Sequence, residues 1–97
     1  MIARVWQASI DAARGAEYEE FAHERSLPAF AAHHGFLGCS FLGEGADRVV
    51  LTLWATMSDA EALEKSSRYQ VTVAAIMQTG FVLGATPATL APVEGMG

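Results

Sequence analysis

IARVWQASI at residues 2–10 and VVLTLWAT at residues 49–56 are the two strand-like stretches that decide the fold. A helical stretch follows each of them, at residues 16–32 and 58–78. A further strand-like run completes each half, at residues 36–43 and 88–93. This order predicts an α+β, ferredoxin-like domain (split βαβ, βαββαβ), in which two helices cover one face of a four-stranded antiparallel sheet.

The chain is apolar for its size. Its 97 residues are 52% hydrophobic, and the mean hydropathy is +0.24. A domain of this length buries only about 60–65% of the surface that its unfolded chain exposes. One sheet and two helices do not easily hide this much apolar surface, so we expect a homodimer. The single domain is expected to span residues 1–94, with residues 95–97 as a frayed tail.

The charge and the apolar patterning exclude several classes of partner. The net charge is −5 without a cluster of Lys or Arg, so we expect no binding to nucleic acid or to an anionic membrane. No apolar run is long enough to span a bilayer, and no signal peptide is recognisable, which predicts a cytoplasmic location. Cys39 is the one cysteine, as is typical of a reducing compartment.

Proline and capping signals predict where the first two helical stretches bend or begin. Pro28 lacks an amide hydrogen, so either the first helix kinks there or Ser26 caps a second short helix. Ser58 and Glu61 have the spacing of a capping box, which predicts that the next helix begins at Ser58.

Later signals predict a helix break and an irregular last strand. Ser66 and Ser67 interrupt the second helical stretch, and Gly80 is a candidate C-terminal cap. Pro92 lies inside the last strand-like run, so that strand is expected at a sheet edge or at a bulge.

Four short signatures carry a family resemblance: MIARVW at residues 1–6, HGFLG at 34–38, VLTLW at 50–54 and SDAEA at 58–62. Together they resemble the antibiotic biosynthesis monooxygenase family of dimeric α/β-barrel proteins. The resemblance implies a homodimer whose two sheets close into a barrel, with a cavity between sheet and helices in each protomer. Members of this family include cofactor-independent oxygenases of polycyclic phenols and quinols, heme-degrading enzymes and proteins without an assigned role.

The heme-degrading branch of that family is not expected here. Its members use an Asn on strand one, a Trp on the helix after strand three, and a His just beyond as the iron ligand. This chain has Gln7 at the first position, no Trp after Trp54 and no His after His34. Heme iron would therefore lack its axial ligand, and we expect no cofactor.

Candidate site residues follow from what a cofactor-independent oxygenase requires, namely an apolar cavity and a polar group that orients a substrate hydroxyl. Gln7, placed on the helix-facing side of strand one, and Tyr69 are the candidates to hydrogen-bond a phenolate or quinone oxygen. His33 is a weaker candidate for a base. Further candidates for the pocket wall are Trp54, Arg68 and Phe21.

Structural roles stay open for most of these candidates. Trp54 at the end of a strand suits a packed core aromatic, Gln7 can satisfy a neighbouring backbone group, and Tyr69 can be one more apolar contact of its helix. Trp6 and Arg4 share a face of strand one that the resemblance places toward the barrel interior, so they are predicted at the dimer interface.

A resident metal ion is not expected. Glu20 and His23 have the E-x-x-H spacing of di-iron bundles, but such sites need two copies of it and two more carboxylates.

The sequence thus favours a cofactor-independent monooxygenase that acts on a small aromatic, quinol or polyketide-like substrate between sheet and helices. The alternative is a non-catalytic dimeric protein that binds a small molecule or has a regulatory role. An isomerase or cyclase would use the same pocket and would differ by consuming no oxygen.

Overall fold

The strand and helix order expected from the sequence is present in a computed structural model, which describes residues 1–95. The strands are β1 (Ile2–Ile10), β2 (Phe36–Glu44), β3 (Asp47–Trp54), β4 (Val82–Ala85) and β5 (Thr89–Pro92). The α-helices are α1 (Gly15–Phe21), α2 (Leu27–Ala31), α3 (Met57–Lys65) and α4 (Ser67–Gln78). A 3₁₀ turn at Ala12–Arg14 precedes α1, and a π-helical turn at Ala22–Ser26 joins α1 to α2. The predicted α+β, ferredoxin-like class is confirmed. The frayed tail predicted at residues 95–97 lies, from residue 96 onward, outside the described residues.

All strand pairs in the sheet are antiparallel, and β1 lies at its centre. One side of β1 pairs with β3, which in turn pairs with β2. On the other side, β4 pairs near the Ile10 end and β5 near the Ile2 end, with Pro87 between them. These two strands form one interrupted edge strand, and the sequence predicted only its second half. Pro92 lies on this edge, as expected.

The helices pack on the sheet face formed by the even-numbered residues of β1 and β3. A large buried cluster on this face consists of Ile2, Phe30, Val50, Trp54, Ala60 and Leu63. A second cluster consists of Ile10, Tyr18, Ile76 and Phe81. The core is therefore divided into two parts, one toward each end of β1.

The odd-numbered residues of the same strands point to the opposite face. Val5, Leu51 and Leu53 are half-buried there, and Leu42 of β2 is 49% exposed. The outer face of the sheet is therefore partly apolar, and the helices of the same chain do not cover it.

Pro28 is accommodated by the π-helical turn. The Leu27 N–H donates to the Ala22 carbonyl, one residue further back than in an α-helix. Ser26 has helical backbone angles and makes no capping hydrogen bond. Of the two alternatives left by the sequence, the chain therefore stays helical through a local widening of one turn, and the short helix α2 follows without a cap from Ser26.

Side-chain caps begin both helices of the second half. The Thr56 hydroxyl accepts from the Asp59 N–H at 3.1 Å, so α3 begins at Met57 and the predicted start at Ser58 is one residue late. The Ser66 hydroxyl accepts from the Tyr69 N–H at 3.3 Å and caps α4. The predicted interruption at Ser66 is confirmed.

Gly35 allows the turn before β2 to contact the start of α3. Its φ is +82°, and a Cβ atom there would overlap the Asp59 carboxylate. That carboxylate accepts from the Thr56 hydroxyl at 2.8 Å and lies 2.9 Å from His34 Nδ1. The hydrogen bond with Asp59 raises the pKa of His34, and the same bond, followed by that from Thr56, lowers the pKa of Asp59.

We predict that the His34 titration midpoint, followed by NMR, lies above the ordinary value of about 6.5 and returns toward it in Asp59→Asn. The raised pKa means that the His34 contribution to stability is present below about pH 6.5 and is lost as pH rises through the folded-state pKa. The effect on stability is small because the His34 side chain is 96% exposed. A midpoint unchanged by Asp59→Asn would contradict the pairing.

Leu63 tests the packing of the larger cluster because it is fully buried. We predict that Leu63→Ala lowers the free energy of unfolding by about 2–5 kcal/mol, since it leaves a cavity in the core. Val71→Ala is the matched control on an exposed site of α4, with an expected change within about 0.5 kcal/mol. Urea unfolding measures both, and similar losses for the two variants would be inconsistent with this core.

Candidate functional site

A partly open cleft lies between the helices and the helix-facing side of β1, β2 and β3. Its walls consist of Arg4, Trp6, Tyr18, Ala22, Ser26, Phe30, Phe41, Val50, Tyr69, Thr72, Val73, Ile76 and Met77. The cavity volume is about 70 Å³. The cleft lies between the two core clusters, because its walls include members of both.

Arg4 supplies the positive charge of this otherwise apolar cleft. Its side chain, 2% exposed, points from β1 toward the helices. Arg4 Nε donates to Glu64 Oε1 at 2.8 Å, and Arg4 Nη2 donates to the Tyr69 hydroxyl at 2.6 Å. A buried guanidinium needs such partners, because removing its charge from water is costly. Arg4 thereby connects β1 with the end of α3 and the beginning of α4.

Tyr69 is left with a hydroxyl proton to donate. Its oxygen accepts from Arg4, and no acceptor for its own proton is found among the described residues. Burial raises the pKa of Tyr69, while the charge of Arg4 acts in the opposite direction. The Tyr69 hydroxyl therefore stays protonated at neutral pH and is suited to donate to a ligand oxygen.

His33 lies behind Tyr69 and does not line the cleft. Its Nδ1 is 2.7 Å from the Ala29 carbonyl oxygen, and its Nε2 is 2.6 Å from the Ser66 hydroxyl. A carbonyl oxygen only accepts, so Nδ1 carries a hydrogen. Because Ser66 also caps the helix that carries Tyr69, His33 connects α2 to the beginning of α4. The structure thus places this candidate base away from the ligand space.

The predicted orientation of strand one is wrong by one residue. Gln7 is exposed and pairs with Val49 on the outer side of the sheet, away from the cleft. Arg4 and Trp6, predicted at a dimer interface, instead line the cleft on the helix side. Large or apolar groups occupy both faces of β1, and a shift of one residue exchanges the faces.

Trp54 belongs to the core. It is fully buried, and its Nε1 donates to the Thr52 hydroxyl at 2.8 Å. Phe21 packs against the cluster of Ile10 and Phe81, and Arg68 is exposed on α4. None of these three candidates lines the cleft.

Of the residues predicted to contact a substrate, Tyr69 lines the cleft, and other residues at or near the cleft were not predicted. Glu64 and Tyr18 were not among the candidate site residues. Arg4 is the one charged residue of the apolar run at residues 1–6. A buried Arg needs a carboxylate partner, so Arg4 was a signal that an acidic residue such as Glu64 lies beside it.

Other chemistry has little support among residues 1–95. These residues contain no group of three or more His, Cys, Asp or Glu arranged to hold a metal ion. Burial raises the pKa of the Cys39 thiol to about 11, so the thiolate is scarce at neutral pH. Within the same range, no helix has the length and the apolar character that crossing a membrane requires.

Comparison with known proteins found similarity only among solved structures. No family model and no curated protein sequence matches the chain. A mutant form of SnoaB of Streptomyces nogalater, a cofactor-independent oxygenase, is similar with a TM-score of 0.80 and 16% identity, over 98% of this chain and 94% of that one.

Two further structures extend the likeness. The ActVA-Orf6 monooxygenase of Streptomyces coelicolor, in complex with Nanaomycin D, is similar with a TM-score of 0.76 and 14% identity, over 97% of this chain and 88% of that one. A proposed antibiotic biosynthesis monooxygenase of Caulobacter crescentus is similar with a TM-score of 0.75 and 21% identity, over 96% of this chain and 90% of that one. At these identities the likeness shows the fold: residues 1–95 share the architecture of these solved monooxygenase structures.

Proposed function

We propose that this protein is a cofactor-independent monooxygenase that acts on a small aromatic hydroxyl compound bound in the cleft. The observation that carries the proposal is the Arg4–Tyr69 pair, a buried cation and a hydroxyl donor at the wall of an apolar cavity. The similarity to SnoaB and ActVA-Orf6, named as oxygenases, supports the same reaction class. Fold similarity alone does not establish an activity, so the proposal depends on the residues of the cleft.

The lining of the cleft suits a flat aromatic compound that enters from its open side. The cavity, about 70 Å³, has about half the volume of the roughly 150 Å³ protein cavity that holds benzene, so a ring compound must also occupy the open side of the cleft or displace wall side chains. Trp6, Phe30 and Phe41 supply aromatic surface against which a flat ring can pack. Met77 is 48% exposed and also lines the cleft, so its flexible side chain can move when a ligand enters.

Arg4 and Tyr69 would favour the ionised form of the substrate. Tyr69 donates a hydrogen bond to the phenolic oxygen, and the Arg4 guanidinium stabilises the negative charge that forms when the phenol loses its proton. Glu64 offsets part of this charge, but its side chain is 47% exposed, so water screens it more than Arg4. The charge is spread over the ring, which makes a ring carbon electron-rich enough to reduce oxygen.

The reaction balances without another reductant. Loss of one proton from the phenol, or from the ring CH₂ group of its keto tautomer, gives one and the same anion, which gives one electron to O₂; the radical pair then combines and takes up a proton to form a C–OOH bond. Cleavage of the O–O bond with loss of the remaining hydrogen on that carbon gives a C=O group and one water. The substrate supplies all the electrons, one oxygen atom enters the product, and the second leaves as water.

Tyr69→Phe tests this assignment. We predict that oxygen uptake with an anthrone or a naphthohydroquinone falls about 10- to 100-fold in kcat/KM, since the donor to the developing phenolate is lost. Arg68→Ala is the matched control, because Arg68 is an exposed neighbour that does not line the cleft, and its rate should equal that of the wild type.

The wild-type rates also separate the alternatives. Oxygen uptake no faster than in buffer across the substrate panel would refute the oxygenase proposal. Binding without turnover would then favour the non-catalytic alternative, and product formation without oxygen uptake would favour an isomerase or cyclase.

We further propose that two copies of the chain associate through the outer face of the sheet. Val5, Leu51 and Leu53 form an apolar strip there that the helices of the same chain do not cover, since those helices pack on the other face. Burial of such a strip is favourable by roughly 25 cal/mol for each Å² of apolar surface. The sequence-based expectation of a homodimer and the family resemblance favour a second copy as the occupant.

Sedimentation at micromolar concentration should give about twice the chain mass of 10.3 kDa. Leu51→Glu should shift the protein to the monomer, because a carboxylate would be buried without a partner. Val71→Glu, at an exposed position of α4 on the opposite side of the sheet, is the control and should leave the mass unchanged. A wild-type monomer would contradict the assembly.

A further inference from the structure

Tyr18 carries a buried hydroxyl without a protein partner. The residue is 2% exposed and forms part of the cleft wall. Among residues 1–95, its hydroxyl is the one buried side-chain nitrogen or oxygen that makes no hydrogen bond. Buried polar groups are nearly always hydrogen-bonded, because an unsatisfied one loses its bonds to water without compensation. Tyr18 lines this cleft and also a second cavity lined by Glu19, His23 and Arg48, so a ligand in the space that Tyr18 borders can supply the missing partner.

The Tyr18 ring is held in place from two sides. It meets Phe81 edge to face, with centroids 6.2 Å apart and an interplanar angle of 86°. The Arg48 guanidinium carbon lies 5.3 Å from the centre of the ring, and Arg48 is in turn held by Glu19 at 3.0 Å. These two contacts restrain the orientation of the Tyr18 ring. Burial raises the pKa of Tyr18, so its proton is retained for donation at neutral pH.

Tyr18 and the Arg4–Tyr69 pair belong to opposite ends of the cleft. Tyr18 packs in the cluster that contains Ile10, whereas Tyr69 packs against the cluster that contains Ile2. The wall between these ends is apolar and includes Trp6, Phe41 and Val50. The cleft thus has a hydrogen-bond donor at each end.

We propose that the Tyr18 hydroxyl is a second ligand-binding group, which donates to an oxygen at the end of the bound aromatic compound remote from Arg4 and Tyr69. The inference rests on the proposed function for the location of the ligand, and it adds a requirement on its chemistry. A preferred ligand carries oxygen substituents at both ends of a flat apolar body. Tyr18 selects such a ligand over one with a single oxygen.

Two naphthols test this selection by calorimetry. Wild-type protein should bind 2,6-dihydroxynaphthalene about five- to tenfold more tightly than 2-naphthol, which is the gain from one added hydrogen bond. Tyr18→Phe should bind 2-naphthol as the wild type does and should lose the preference for the diol. Equal affinities in the wild type, a preference retained in Tyr18→Phe, or no binding of either compound would overturn the inference.

Thermal unfolding supplies a second measurement that does not depend on a ligand. Tyr18→Phe should unfold at a Tm no lower than that of the wild type, because no protein hydrogen bond is removed. Thr52→Val is the matched control: the buried Thr52 hydroxyl accepts from Trp54 Nε1, so this variant should lose stability. A loss in Tyr18→Phe as large as that in Thr52→Val would show that the Tyr18 hydroxyl has a partner in the protein, and would overturn the inference.

The outcomes separate this inference from the proposed function. A preference for the diol that depends on Tyr18, together with no oxygen uptake on any substrate, refutes the oxygenase and leaves Tyr18 as a ligand-binding group. Oxygen uptake that depends on Tyr69, together with a diol preference unaffected by Tyr18→Phe, refutes only the role of Tyr18.

Discussion

The buried charge of Arg4 is the interaction on which the candidate site depends. A guanidinium on the helix-facing side of a sheet must be paired, and both partners come from the second half of the chain. Glu64 and Tyr69 are five residues apart, so on a continuous helix they would lie about 140° apart around the axis. The break at Ser66 between α3 and α4 allows both side chains to reach the same guanidinium. The interruption of the helix thus has a direct consequence for the site.

The elements that fix Tyr69 extend beyond the cleft. Ser66 caps α4 and contacts His33, whose other nitrogen lies against the Ala29 carbonyl of α2. The His33 imidazole ring therefore connects α2 to the beginning of α4. The π-helical turn contributes to the opposite wall, since Ala22 and Ser26 at its two ends both line the cleft. Pro28 makes this irregular turn necessary, and such turns are frequent at functional sites.

Local sequence signals predicted the positions of the helices and strands well. They predicted poorly which face of the sheet each residue of β1 occupies. The helix break at Ser66 and the edge position of Pro92 depend on residues close in sequence, so capping and proline chemistry were sufficient. The orientation of β1 depends on partners about 60 residues away, and both of its faces carry apolar side chains. Gln7 and Arg4 were consequently assigned to each other's faces. Tyr18 gave no local signal, because an unsatisfied hydroxyl is a property of the packed structure.

The alternation of β1 separates two functions that the chain is proposed to combine. Arg4 and Trp6 face the cleft, whereas Val5 between them faces the outer side of the sheet. A substitution on the outer face that changes the association of two copies therefore affects the cleft only through the backbone of β1. The central position of β1, paired on both sides, restrains that backbone. The proposed ligand-binding surface and the proposed dimer surface can thus be changed separately by substitutions at alternating positions of β1.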